Sequence, residues 1–401
     1  MNIIENKKRI IVIGGGTIGC LTVIHFINDS TKEITWYRDP LSNTQSVGEA
    51  TTLAVPRLLH NNLNFHPYKD FSLIDGNLKR GIRKLNWGET SLGDYTHFFG
   101  LSEHGIHFNA VKFQNLIYQK LKHRVNVIEE KAPPYSNIEG DYIIDCSGSP
   151  KDYSEFNLAN QIPVNSAYVV DCPWDYPEYD YSFHIALSHG WVFCIPLKNR
   201  MSVGYMYNSS QTTLQEIKKD INQVFKNLKL SPSQNITQWN FKNYYRKQNF
   251  TERVCYNGNS SFFLEPLEST STAFAIRVNR TLDKFLNKEI SLHQANESYE
   301  NEIIDIQRMI SLHYISGSKF NTPFWDFATS INEKFFKESL NKGKYNFKKI
   351  YLESSKFINS KNLGLNFNGP PEAYGTWGIN NYIQNIEGLN LTKKLNKLLN
   401  I

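Results

Sequence analysis

The sequence predicts an α/β fold: a Rossmann-type nucleotide-binding layer with an inserted antiparallel sheet and a helical C-terminal region. Three observations predict it. A β-branched run at residues 10–13 passes through a glycine cluster into residues 21–27, whose apolar spacing suits a helix. Residues 164–207 break into short alternating runs separated by turns, the pattern of an antiparallel sheet. Helical periodicity takes over after Ser271, through residues 303–314 and again beyond Ile331.

The remaining elements follow in order. Residues 34–37 read as a second strand, 41–52 as a polar loop near the glycine turn, and 53–63 as a helix. Residues 71–87 read as helix turning into strand, 96–99 as an aromatic loop, 113–121 as a helix, and 141–145 as a strand ending at Ser147-Gly148. At 401 residues the chain is expected to form a core over 1–330, with an interleaved sheet on the substrate side, and a helical cap over 331–401. Phe, Tyr and Leu recur through that Asn/Lys-rich tail, which argues against disorder.

Composition narrows the function classes. Hydrophobic residues make up 40% and aromatics 13%, enough for a sizeable core and an aromatic-lined pocket. The net charge of +6 arises from 44 basic and 38 acidic residues dispersed along the chain, which is not a nucleic-acid footprint. The five cysteines lack metal-type spacing and sit mostly in apolar runs, as reduced buried thiols do, so no metal is expected. A polar start and the lack of a membrane-length apolar run predict a cytoplasmic protein without a membrane partner; a dimer is a compatible assembly.

The sharpest local signal is Gly14-Gly15-Gly16-Thr17-Ile18-Gly19. It fits G-x-G-x-x-G between strand and helix, where glycines let backbone approach a pyrophosphate at a helix N-terminus. The acid expected about 20 residues on, at the end of the second strand, is replaced by Arg38, with Asp39 following. Further segments lie in register: Ser46-Val47-Gly48-Glu49-Ala50-Thr51, Asp145-Cys146-Ser147-Gly148, residues 190–197 (GWVFCIPL), residues 258–270 (GNSSFFLEPLEST) and Asn321-Thr322-Pro323-Phe324-Trp325. Together, collinear over residues 10–325, they resemble the flavin-dependent tryptophan-halogenase family, whose fold is flavin monooxygenase-like.

The resemblance implies FAD, used as FADH2, held by Gly14, Gly16, Thr17, Gly19, Val47, Glu49, Ala50, Asn259 and Leu264. It implies a halide ion at the backbone of Thr270 and Ser271. Lys79, in Asn77-Leu78-Lys79-Arg80-Gly81-Ile82-Arg83-Lys84-Leu85-Asn86-Trp87, falls on the family's essential lysine; by composition alone it is one cation of a solvated helix face with Arg80, Arg83 and Lys84. Glu268, rather than Glu265, falls on the glutamate that pairs with that lysine and takes up a ring proton. As a residue near a helix start it is also favourably placed against the helix dipole.

Trp191, Phe193 and Pro196 cover a W-x-W-x-I-P motif, with Phe193 in place of its second Trp, read either as a wall between flavin and substrate or as a buried aromatic strand. His97, Phe98 and Phe99 resemble the aromatic loop that holds the substrate, and equally suit ordinary core packing. Residues 369–377 offer a late aromatic or acidic contact. The implied activity is FADH2- and O2-dependent halogenation of an electron-rich ring, indole-type favoured, by hypohalous acid guided to Lys79. Its partners would be a separate NAD(P)H-dependent flavin reductase and an aromatic small molecule or peptide side chain. The alternatives are an aromatic hydroxylase and a non-catalytic flavin-binding relative.

Overall fold

The computed structural model describes residues 7–42, 49–88, 94–100, 103–175, 178–360, 373–374 and 377–401. The expected flavin contact Val47 and most of the stretch 369–377 lie outside the described residues.

From the N-terminus, β1 (Lys8–Ile13) passes through the glycine turn into α1 (Thr17–Phe26) and returns in β2 (Lys32–Tyr37). Next come β3 (Glu49–Ala50), α2 (Ala54–Leu63), α3 (Pro67–Asp70), β4 (Asn77–Lys79), β5 (Gly81–Leu85), β6 (Tyr95–Phe98) and β7 (Gly105–Phe108). α4 (Ala110–Leu121), β8 (Asn126–Ile128) and β9 (Tyr142–Asp145) close this part of the chain. Among the described residues, β17 (Val254–Tyr256), β9, β1, β2 and β8 form one parallel sheet in that order. α1 is buried almost all round, because it lies between that sheet and other helices.

A second sheet carries the order β15 (Ile236–Asn240), β11 (Ser166–Pro173), β14 (Arg200–Tyr207), β13 (Gly190–Pro196), β12 (Ser182–Leu187), β5 and β6. Its pairs are antiparallel except β5 with β12. Alternation along β13 divides two cores. Trp191, Phe193 and Ile195 enter the main core, whereas Val192 and Cys194 pack on the opposite face under Ile217, Ile221, Val224 and Phe225 of α5 (Leu214–Asn227). Two small sheets, β3-β7-β4 and β10 (Phe156–Leu158)-β16 (Tyr244–Arg246)-β18 (Phe262–Phe263), flank these layers. All five cysteines are buried free thiols.

Helices α6 (Thr270–Leu286), α7 (Leu292–Ser316), α8 (Pro323–Ser339), α9 (Phe347–Ser360), α10 (Ile379–Gly388) and α11 (Thr392–Leu399) complete the chain, with β19 (Ala373–Tyr374) and β20 (Trp377–Gly378) before α10. Capping boxes at Thr213 and Ser291 start α5 and α7. α8 runs across residue 330, so the expected core and cap share a helix. No described helix is long and apolar enough to cross a membrane.

Two local expectations need correction. Residues 71–87 hold one 3₁₀ turn and two strands, because Asp75 at φ 51 and Gly76 turn the chain back before a helix can propagate. Residues 95–98 are a strand and not a loop: they pair with β5 from Lys84↔Tyr95 to Gly81↔Phe98, a partner that four aromatic-rich residues cannot announce.

Candidate active site

The glycine turn, the end of β9 and the turn Gly258–Ser260 converge at the C-terminal ends of β1, β9 and β17, where open parallel sheets bind ligands. Gly14 has φ +119, and a Cβ on it would sit 2.4 Å from the Cys146 carbonyl oxygen; a Cβ on Gly19 would sit 2.0 Å from that of Gly14. These glycines close the turn against the sheet. A Cβ on Gly16 meets nothing within 4 Å, and no side chain caps α1, so its first amides face an approachable crevice. That geometry fits a dinucleotide pyrophosphate.

Thr17 begins α1 and accepts from Gln114 Nε2 (3.3 Å). Exposed Asn259 borders the crevice, donating to Ser149 Oγ (3.5 Å). Glu49 and Ala50 pair with Phe108 and His107 on β7, and burial pushes the Glu49 carboxyl up to about 7. Leu264 is a buried core residue. Arg38 turns from the expected ribose position to Glu129 (3.2 Å) and stacks over Tyr118, 4.5 Å from its ring centre.

The second centre lies where β4, β5 and β6 meet the loop before α6. Ser269 sits there at φ 52, ψ 36, a left-handed conformation costing roughly 1–2 kcal/mol for a residue with a Cβ. The turn aims Ser269 Oγ at Lys79, whose Nζ donates to it at 2.8 Å. Glu268, one residue earlier, receives Lys84 Nζ at Oε1 instead. The lysine expected to pair with Glu268 thus binds its neighbour, and the direct ionic partner is a second lysine. All three side chains are shut away from solvent.

Burial pushes the Lys79 amine down to about 7; the Glu268 carboxylate opposes this and the Lys84 charge adds to it. Burial alone would raise the Glu268 carboxyl, but above all the Lys84 ammonium holds it well below the usual carboxylate range. Lys79 Nζ also lies 5.5 Å from the Phe99 ring centre. No side chain caps α6 at Ser269, so the amides of Thr270, which is buried, and half-buried Ser271 start a helix open to an anion.

His97 and Phe99 share one face of the β6 end and meet edge to face at 5.8 Å, while Phe98 points the other way, 5.7 Å from the Arg80 guanidinium. The three aromatics therefore do not form one wall. β6 is held by one face of α10: Asn381 Nδ2 lies 2.7 Å from His97 Nε2, Gln384 bonds Phe98 N (2.7 Å) and O (3.2 Å), and Asn385 accepts from Tyr95 OH (2.7 Å).

Trp191 is fully buried, 5.0 Å from the His184 ring and 6.3 Å from Trp87, and its Nε1 donates to Glu265 Oε2 and Tyr314 OH, both at 3.1 Å. Tyr314 OH also donates to Glu265 (2.7 Å), whose carboxyl burial pushes up to about 7. Glu265 thus anchors the aromatic layer and Glu268 serves the lysines. Phe193 covers Gly204, where a Cβ would be 2.0 Å from its ring, and the Pro196 carbonyl accepts from Asn77 Nδ2 (3.2 Å). Trp325, from the late motif, donates to the Leu187 carbonyl (2.8 Å) and meets Trp87 edge to face at 5.4 Å.

Sequence reasoning missed Lys84, His313, Asn381 and Gln384. Lys84 had a signal: two residues after apolar Ile82, it faces inward with it while Arg83 points out. His313 sits between Leu312 and Tyr314 in a mostly apolar, buried stretch of α7. Nothing local marked Asn381 or Gln384.

The fold can be placed among known structures. Over 96% of this chain and 89% of the other, it superposes on a flavin-dependent halogenase from Xanthomonas campestris with a TM-score of 0.75 at 18% identity, a likeness of fold. The fold is therefore the mixed α/β architecture of flavin-dependent halogenases. The tryptophan halogenase family model matches residues 9–135 and 125–357, and the chain belongs to that family. The tryptophan 7-halogenase RebH of Lentzea aerocolonigenes is 25% identical over 203 residues, and the tryptophan 6-halogenase ThaL of Streptomyces albogriseolus 25% identical over 221. These matches cover 47% and 49% of this chain, and 38% and 40% of the two relatives' lengths.

Proposed function

We propose that this protein halogenates an electron-rich aromatic ring, indole-type by preference, using FADH2 from a separate NAD(P)H-dependent flavin reductase. The reading is carried by Lys79: a buried amine, brought near neutrality at about 7, beside Phe99 and tied to the loop that bears Glu268. Gly14, Gly16, Thr17, Gly19, Glu49 and Asn259 would hold the flavin, which with O2 supplies the oxidising equivalent that turns halide into hypohalous acid. The open α6 amides at Thr270 and Ser271 hold the halide.

Lys79 then does one of two things. As ammonium it donates a hydrogen bond to hypohalous acid; as free amine it carries the halogen as a haloamine. Both forms are accessible to an amine near pH 7. His97 and Phe99 line the ring's position, Glu268 receives the ring proton, and the Trp191 layer excludes water between the two centres.

The test supplies FAD, a flavin reductase, NADH, O2 and bromide, with a panel of indoles and phenols, to wild type and Lys79→Ala. Ring bromination by wild type alone is expected. Bromide-independent hydroxylation by both proteins would overturn the proposal.

A further inference from the structure

His313 on α7 touches Glu268 and has no part in the reading above. Its Nε2 lies 3.0 Å from Glu268 Oε1 and its Nδ1 3.0 Å from the Met309 carbonyl oxygen. Both neighbours are acceptors. A neutral imidazole has one N–H, so it satisfies one contact and turns a lone pair on the other; only the imidazolium donates to both.

His97, the other imidazole at Glu268, is different. Gly378 N donates to Asn381 Oδ1 (2.8 Å), which turns the amide so that Nδ2 donates to His97 Nε2. His97 must then carry its proton on Nδ1, 3.3 Å from Glu268 Oε2. Its lone pair is already used. Of the two rings, His313 alone keeps a place for a further proton at this carboxylate.

We infer that His313 is the terminal acceptor of the proton displaced from the aromatic ring, passed on through Glu268. The inference rests on the halogenase reading. As halogen joins the ring carbon, that carbon's C–H bond breaks, its electron pair returns to the ring, and the proton goes to the Glu268 carboxylate. The carboxyl O–H then breaks as the His313 Nε2 lone pair takes the proton, restoring the carboxylate beside Lys84. The imidazolium then holds the proton at Nε2 beside the carboxylate, with Nδ1 still donating to the Met309 carbonyl, and returns it through Glu268 to solvent as product leaves.

The charges around the ring favour this order. Glu268, clamped by Lys84, is too weak a base to keep the proton. Burial and the Lys84 ammonium keep His313 neutral beforehand, with Glu268 and the Met309 carbonyl opposing them. His184 on β12 is also held neutral, by burial and by Lys84 and Lys79, and the Trp87 ring meets His313 edge to face at 5.6 Å. His313 is a positioning residue acting through Glu268.

Two measurements test it. In flavin-free protein with ¹⁵N-labelled histidine, assigned with His313→Gln, the neutral His313 ring is expected to carry its proton on Nδ1 and to titrate below the ordinary 6.5. In Lys84→Met, which loses the nearby cation and serves as a second assignment variant, the titration moves to higher pH. A neutral ring protonated on Nε2 would overturn the inference without any turnover.

In single turnovers, His313→Gln should slow halogenation by about 10- to 100-fold and lose the acid limb of the pH profile. It should also show a primary isotope effect with substrate deuterated at the halogenated carbon, which wild type lacks. If wild type halogenates but the variant keeps the acid limb and shows no isotope effect, this inference falls and the proposed function stands. If wild type halogenates no arene, the proposed function falls first and the inference with it.

Discussion

Lys84 Nζ donates to Glu268 Oε1 with no solvent access to either side chain. Removing one member of such a pair strands the other charge. Lys84→Met should cost about 3 kcal/mol, the lower end for buried pairs because the protonated Nδ1 of His97 still faces the carboxylate. Adding Glu268→Gln to Lys84→Met should recover most of that loss. Urea melts of the three proteins check it, and a single-variant loss below about 0.5 kcal/mol would refute the buried pair.

The Lys79 amine makes stability rise with pH. Its folded-state pKa, about 7, lies below the 10.5 of the unfolded chain, so between these values the unfolded state binds more protons. Wild type should therefore gain stability relative to Lys79→Met as pH rises from 7 to 9. Parallel melts at the two pH values would show an unchanged gap if Lys79 were an ordinary solvated cation.

Glu265 has the opposite sign. Its carboxyl is raised to about 7, so its stabilising contribution is complete below 4.5 and lost as pH rises through 7. Glu265→Gln keeps an acceptor for Trp191 and Tyr314 without the charge, and should gain stability over wild type on going from pH 5 to pH 8. Denaturant midpoints read the effect directly.

Gly16→Ala separates folding from flavin binding, because its Cβ meets no protein atom within 4 Å. Its melting temperature should match wild type while FAD affinity falls at least about tenfold, roughly 1.4 kcal/mol. Gly14→Ala, at φ +119 and 2.4 Å from a carbonyl oxygen, should instead destabilise the fold itself. Flavin fluorescence titration with thermal melts distinguishes the two.

Gln384→Ala removes both bonds to the Phe98 backbone and leaves a buried-side amide unpaired, a loss of about 1–3 kcal/mol. Hydrogen exchange should quicken along β6 with little change in β1 or β9. Uniform quickening would mean that α10 supports the whole fold and not this strand.

The nucleotide-binding layer was legible from contiguous residues, since a strand, three close glycines and a helix state their backbone requirements locally. The inserted sheet and the start of α6 were legible for the same reason, through alternation and through Pro266 before a Ser/Thr run. Strand β6 was not: its hydrogen bonds belong to β5 and its anchors to α10, nearly 290 residues away.

Family resemblance to collinear motifs pointed to Lys79 and Glu268, and the residues themselves could not choose between a solvated cation and a buried one. Sequence by itself determined the α/β class, the glycine crevice and the membership that the family model matches over residues 9–135 and 125–357. Tertiary structure alone decided that Lys79 meets Ser269, that Lys84 takes Glu268, and that His313 faces the same carboxylate. The reason is physical: the charge state of a lysine or histidine depends on desolvation and on partners more than 180 positions distant here, and only packing brings these together.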